Sequence, residues 1–337
     1  RCIYLIDSLN YPSNKKLFDS YIICTLYYNM LSETDKALKY LYIAENILKS
    51  EYNLAHYKYC NLYYHYARIL LNLGKLDKAI IFFERSLRMA QISDILNDYL
   101  FLNYRHLGIL YYSNKNYSRS IEYNLKALKE SKNSGFSPVY TYLYLGRCNY
   151  ALNNLLKAEN HYSLAESIAM HESGIIHPAI QNIYDLKSRL YRKKKDYINE
   201  IKYLEFAYKS AIRNNVYKSV NVTRTLLNLG RYYCRMHDFK RSLDTLQKAL
   251  ISVTKNFDNT DIYINPDIED ATDRMLLAPI IKRKAYVFFN YYDKVTGNII
   301  DLKASLKCYK MANKLQEKIN ISLNNEKTKF NFLANQK

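Results

Sequence analysis

The chain predicts an all-α solenoid, a right-handed superhelical stack of about seven antiparallel helix pairs. Three observations predict it. A block recurs about every 42 residues, opening on a small residue: Thr25, Ala67, Gly108, Gly146, Ser188 or Gly230. Twelve positions on stand Ala37, Ala79, Ser120, Ala158 and Ser242, with Glu200 the one exception, and seven further come Ala44, Ser86, Ala127, Ala165, Ala207 and Ala249. Fixed periods of this length belong to stacked supersecondary units. The second observation is that Gly and Pro number only seven and five in 337 residues, which disfavours β-rich folds and long structured loops. The third is helical spacing of apolar and aromatic residues, broken at regular intervals by short polar turns.

Taken in order, the pairs are expected over 15–50, 55–93, 97–133, 138–171, 179–214, 218–256 and 273–320. Their turns are Ser32-Glu33-Thr34, Gly74-Lys75, Asn114-Lys115-Asn116, Asn153-Asn154, Lys193-Lys194-Lys195 and His237-Asp238. Connections this short force antiparallel neighbours. The third pair illustrates the pattern, with Asn97–Ser113 before the turn and Tyr117–Lys132 after it. The seventh is read from Ala285, Phe288, Ser305, Tyr309 and Ala312, with an insertion around Asp293–Asp301 and a longer lead-in, Asn256–Asp273. Residues 1–337 are expected to form one solenoid, with 321–337 a linker or the start of a further domain. Two helices cross closely only where side chains are small. Gly108, Gly146 and Gly230 fall mid-helix, where Gly costs about 0.5–1 kcal/mol relative to Ala, so a packing demand is implied.

These residues resemble the tetratricopeptide repeat (TPR) family. A large aromatic stands four before the small position at Tyr21, Tyr63, Tyr104, Tyr142 and Tyr184, and a Tyr three after it at Tyr28, Tyr111, Tyr191 and Tyr233. Leu107, Leu145 and Leu229 precede the small residue, and Tyr117, Tyr197 and Phe239 open the second helix. The usual Trp and terminal Pro are missing, and the period exceeds the usual 34, as in the kinesin-light-chain type. The resemblance covers nearly the whole chain. It implies the fold and leaves function open.

Composition bounds the partners. The net charge is +19, from 50 Lys and Arg against 31 Asp and Glu, which favours an acidic partner: a protein or peptide, nucleic acid, or an anionic surface. An AT-rich genome would also enrich Lys, Asn, Ile and Tyr, so charge alone decides little. Cys2, Cys24, Cys60, Cys148, Cys234 and Cys308 are scattered without a C-x-x-C pair, as expected of reduced thiols in a cytoplasmic protein. The longest apolar stretch, Met275–Phe289, is interrupted by Lys282, Arg283 and Lys284, so no membrane span is expected. The chain opens at Arg1 without Met and reads as a fragment of a longer protein.

No phosphate-binding Gly loop, H-E-x-x-H or G-x-S-x-G is present, so catalysis by this chain is not expected. Cys234 with His237 and His56 with Cys60 each offer two ligands, too few for structural zinc; neither a metal nor another cofactor is expected. The tyrosines are mostly packing, since nine of 37 occupy the two aromatic repeat positions. Arginine is harder to explain. The family resemblance implies that the first helix of each pair lines the concave surface and that the residue after the small position faces the groove. That slot holds Arg68, Arg147, Arg189 and Arg231, although the chain has only sixteen arginines. Neighbouring groove slots add Arg105, Arg192, Arg224 and Arg235, with Asn61, Tyr64, Tyr112, Tyr140, Tyr150 and Asn182 between them. Arginine forks pair with carboxylate or phosphate, which suits an extended acidic ligand. The plainer reading is a ladder of arginines paired with acidic residues of adjacent helices or simply solvated, with Asp185 the obvious acidic neighbour. The basic run Arg189–Lys195 reads as a solvated turn, and no small-molecule substrate is evident.

The leading expectation is a non-catalytic interaction scaffold that holds an extended acidic segment in an Arg- and Tyr-lined groove. The stretch Ala304–Lys337, with Phe330-Asn331-Phe332-Leu333, is similar to the segment that joins repeats to the caspase-like CHAT domain in bacterial proteins, which would make the chain a regulatory arm of such a protease. The alternatives are a nucleic-acid or ribonucleoprotein-binding solenoid and a peptide-signal receptor.

Overall fold

The structure is a computed structural model that describes residues 14–51, 57–92, 97–214 and 217–334, with side chains between 17 and 322. Cys2, His56 and the tail from 335 lie outside the described residues. Fourteen α-helices are described. They are α1 (Asn14–Met30), α2 (Thr34–Glu51), α3 (Lys58–Asn72), α4 (Leu76–Ile92), α5 (Asn97–Ser113), α6 (Tyr117–Ser131) and α7 (Val139–Ala151). There follow α8 (Leu155–Ser173), α9 (Ile180–Lys193), α10 (Tyr197–Asn214), α11 (Val220–Arg235), α12 (Phe239–Ser252), α13 (Arg274–Tyr291) and α14 (Ile299–Ala334). No strand is found among the described residues; a single bridge joins Thr254 and Ala271. The chain divides into two compact units, the first ending at Ile168 and the second beginning at Ala169.

Within each unit the helices pack as consecutive antiparallel pairs, each second helix meeting the first helix of the next pair. First helices also touch one another: α1 against α3, α3 against α5 and α5 against α7 in the first unit, α11 against α13 in the second. They therefore build a continuous wall in each run.

The mid-helix glycines sit where the two helices of a pair cross. A Cβ on Gly108 would lie 2.4 Å from the Asn124 side chain, one on Gly146 2.3 Å from the Tyr162 ring, and one on Gly230 2.8 Å from Leu246. In each case the obstructing side chain stands sixteen residues on, at a position also held by Leu41, Phe83 and Leu204, all six being buried. The second small residue serves the same crossing. Ser120 Oγ donates to Gly108 O at 2.7 Å and Ser242 Oγ to Gly230 O at 2.8 Å. Ser305 Oγ donates to Ala285 O at 2.9 Å, so the seventh pair makes the same crossing bond despite its insertion.

The turns are equally regular. One residue in each takes the left-handed conformation: Ser32, Gly74, Lys115, Asn153, Lys195, His237 and Gly297, with φ between 59° and 70°. The following N–H closes the first helix, as Asn116 N does on Tyr111 O at 2.8 Å and Asp238 N on Tyr233 O at 2.9 Å. Asn116 and Asp238 then cap the next helix, accepting from Arg119 N and Arg241 N. The tyrosines fill the space beside the crossing. Tyr28 stacks on Tyr40, Tyr111 on Tyr123 and Tyr191 on Tyr203, each pair with centroids 5.3 Å apart.

The lead-in before the seventh pair is held by a buried cation. Lys284 Nζ donates to Gln247 Oε1 at 2.6 Å, Asn265 Oδ1 at 2.8 Å and Ile264 O at 3.3 Å. The side chain is 0% exposed, and burial lowers its pKa to about 8. Asp270 closes the same loop by accepting from the backbone N–H of Asn256 and Phe257.

Gly146→Ala is expected to lower stability by about 1–3 kcal/mol through overpacking against Tyr162, outweighing the helix propensity gained. Gly135→Ala, whose Cβ would meet nothing within 4 Å, is the neutral control, with urea denaturation reading both. Lys284→Met is expected to cost about 1–3 kcal/mol by leaving the buried Gln247 Oε1 and the partly exposed Ile264 O and Asn265 Oδ1 without their donor, and to open the 256–273 loop to hydrogen exchange first.

Candidate functional site

The first-helix wall of the first unit gathers Arg68 from α3, Arg105 from α5 and Arg147 from α7. Their guanidinium groups lie over aromatic faces one turn earlier on the same helix. Arg68 is 5.9 Å from the Tyr64 centroid, Arg105 5.4 Å from Phe101 and Arg147 5.0 Å from Tyr144. Such stacking restrains the plane of the guanidinium. Arg105 is half-buried, and its Nε has no hydrogen-bond partner. Burial lowers its pKa, Arg68 adds to this, and Tyr64, Tyr140 and Tyr144 oppose it. No carboxylate is within ion-pair distance of Arg68 or Arg105 among the described residues.

Beside these cations lies a neutral aromatic cluster. Tyr64 OH and His106 Nε2 share a hydrogen bond of 3.1 Å, and the His106 ring stacks on Phe83 at 5.0 Å. Burial holds the His106 pKa down at about 3, with Arg105 and Arg68 adding to the effect, so the imidazole is neutral at physiological pH. Tyr112 packs edge-on against Tyr144 at 5.5 Å. Asn61 is half-buried on α3 with its Oδ1 unpartnered, Tyr140 is exposed at the start of α7, and Tyr150 is half-buried near its end.

In the second unit α9 presents Asp185, Arg189 and Arg192, and α11 presents Arg224, Arg231 and Arg235. These do not all behave alike. Arg235 donates from Nη2 to Glu200, a carboxylate only 3% exposed at the start of α10, and is thereby an internal tie. This is why the repeat tolerates Glu200 where the other pairs carry a small residue: the long side chain runs out of the crossing to a guanidinium on the next first helix. Arg231 makes one long bond, Nη1 to Asn228 Oδ1 at 3.5 Å, and its Nε is buried without a partner. Burial lowers its pKa, and Arg283, Arg192, Arg189 and Arg235 all add to this. Arg189, Arg192 and Arg224 are exposed, and Asn182 is half-buried on α9. Asp185 is 7% exposed; burial raises its pKa to about 6 against the opposing influence of Arg189, Asn228 and Arg224.

The residues expected from sequence thus fall into two sets, one on each unit's wall. Sequence reasoning missed His106, Tyr144 and Asn228. It also missed Lys282, Arg283, Tyr286 and Tyr309, which with Arg231 and Pro279 line a pocket of about 460 Å³ in the second unit. Tyr286 follows Ala285, so it occupies the slot held elsewhere by Arg68, Arg147, Arg189 and Arg231, and the repeat register could have found it. Among the described residues no helix is long and apolar enough to cross a membrane, and no cluster of three or more metal-ligating side chains is found.

No family model and no curated protein matches the chain. Solved structures do. The chain is similar to BtubC (BKLC) from P. vanneervenii, with TM-score 0.59 and 15% identity over 73% of this chain and 92% of that one. It is similar to the apo form of RapI, with TM-score 0.59 and 15% identity over 90% and 98%. It is also similar to the Rap conjugation gene regulator of plasmid pLS20, solved in complex with the Phr* peptide, with TM-score 0.52 and 17% identity over 92% and 80%. At such identities the likeness establishes the fold, which is an all-α, TPR-like repeat fold. Nothing in these likenesses supports the CHAT connection expected from the C-terminal stretch.

Asp185 gives this site a pH signature. Its folded pKa of about 6 exceeds the unfolded value near 3.9, so the native state holds the proton more tightly between the two. Stability falls as pH rises through that window, and the cost is fully present above about pH 6. Asp185→Asn is expected to be more stable than the parent at neutral pH, by up to about 3 kcal/mol, with the difference vanishing below about pH 4 in chemical denaturation.

Proposed function

We propose that the chain is a non-catalytic interaction scaffold whose first-helix walls hold an extended, acidic segment of a partner protein or peptide. The observation that carries this reading is the unmatched arginine of those walls. Arg105 and Arg231 have no carboxylate to neutralise them, whereas Arg235, whose Nε is likewise buried without a partner, has Glu200. Unpaired charge is costly to bury, and a structural role would be expected to supply the acid, as Glu200 does for Arg235. A ligand carboxylate would complete the remaining forks bidentately, with tyrosines giving apolar contact along the chain. The likeness in fold to a regulator solved with a bound peptide supports a peptide rather than a globular surface as the occupant.

The net charge of +19 favours nucleic acid as the second reading. The two separate by salt dependence, since replacing several phosphate contacts releases counterions and gives a steep fall of affinity with salt. Arg68→Glu combined with Arg147→Glu is expected to abolish capture of an acidic peptide library while leaving the thermal unfolding midpoint within a few degrees. Loss of folding in that variant would instead make these arginines structural ties, and retained capture would refute the proposal.

A further inference from the structure

The pocket between α11, α13 and α14 gathers cations and aromatic rings in one place. It is lined by Arg231, Pro279, Lys282, Arg283, Tyr286 and Tyr309. Three of the six are cationic and none is acidic. Arg283 lies 5.4 Å from the Tyr286 centroid, which orients its fork, and Arg231 brings an Nε with no partner. The opposite character comes from Pro279 and the two tyrosine rings, which offer planar apolar surface beside the cations. At about 460 Å³ the space suits a small organic group and not an isolated ion.

We infer that this pocket is a subsite for a phosphate monoester carried on an aromatic or apolar body. It rests on the reading of the wall as a recognition surface and adds the chemistry of one position within it. The charge count favours phosphate over carboxylate. A monoester approaches two negative charges at neutral pH and presents three oxygens in a tetrahedron, where a carboxylate offers one charge and a planar pair. Two guanidinium forks and one ammonium match the first arrangement, with Arg231 and Arg283 donating to different oxygens and the exposed Lys282 closing the third side. The body of the ligand then lies against Tyr286, Tyr309 and Pro279. Two sources share this chemistry: a phosphorylated side chain of the partner segment, and a free small phosphomonoester.

The test is calorimetric titration of the whole chain with O-phospho-L-tyrosine, tyrosine, inorganic phosphate and sulfate. O-phospho-L-tyrosine is expected to bind at one site and tyrosine not at all, with phosphate and sulfate weaker by about tenfold or more, because they lack the ring. Arg283→Ala and Lys282→Glu are each expected to weaken O-phospho-L-tyrosine by about tenfold or more. Lys282 is exposed, so its variant folds whatever Arg283 contributes to packing. Equal binding of sulfate and O-phospho-L-tyrosine, or affinity unchanged in Lys282→Glu, would overturn the inference. A phosphotyrosine peptide that binds more tightly than the amino acid, and loses that gain in Arg189→Glu, identifies the partner segment as the source; equal affinity identifies a free monoester. Failure here with acidic-peptide capture intact removes only the subsite, whereas loss of that capture alone removes the scaffold reading.

Discussion

Everything in this fold depends on how closely the two helices of a pair can cross. At each crossing the first helix offers a residue with little or no side chain, and the second helix drives a large one into the space. Phe83 fills it over Ala67, Tyr162 over Gly146 and Leu246 over Gly230. Where the second small residue is Ser, its hydroxyl bonds the carbonyl at the crossing and satisfies a group that close packing would otherwise shield from water. The turn residue is constrained by the same geometry. Only a left-handed residue brings the chain round fast enough to start the second helix against the first, so Ser32, Lys115, Asn153, Lys195 and His237 accept a conformation that Gly would adopt without strain.

That constraint explains why so little of the residue enrichment reports on function. The tyrosines stack across each pair beside the crossing, and the buried cysteines fill core positions with their thiol pKa values raised by burial. Arginine is the residue whose placement packing leaves open. Arg68, Arg105, Arg147 and Arg283 rest on rings of their own helices, an arrangement that orients the guanidinium. Arg235 differs because Glu200 neutralises it; it stands five residues after the small position, not in the slot that holds Arg68, Arg147, Arg189 and Arg231.

Much of the architecture was legible because it is periodic. A repeat position that must be small, another that must be aromatic and a polar turn at fixed offset can each be read without a partner in view. Ser305 could be assigned to the seventh crossing from its spacing to Tyr309 and Ala312 even across the insertion. The pairing of Glu200 with Arg235 was not legible, because the two stand 35 residues apart on different pairs and nothing local marks them as partners. Lys284 was equally opaque. In sequence it interrupts an apolar run and looks like a surface charge, yet it is fully buried because a loop folds over it and supplies two acceptors, with Gln247 of α12 giving a third.

The sequence by itself determined the helix pairs and their turns, since these follow from spacing along one chain and from the steric needs of helix crossing. Tertiary structure alone decided which charged residues are neutralised and which are left open, because that depends on distances between side chains of different pairs. It turned Glu200, Arg235 and Lys284 into internal ties. It also drew Arg231, Lys282 and Arg283 into one pocket without a carboxylate, where charge remains to be matched from outside.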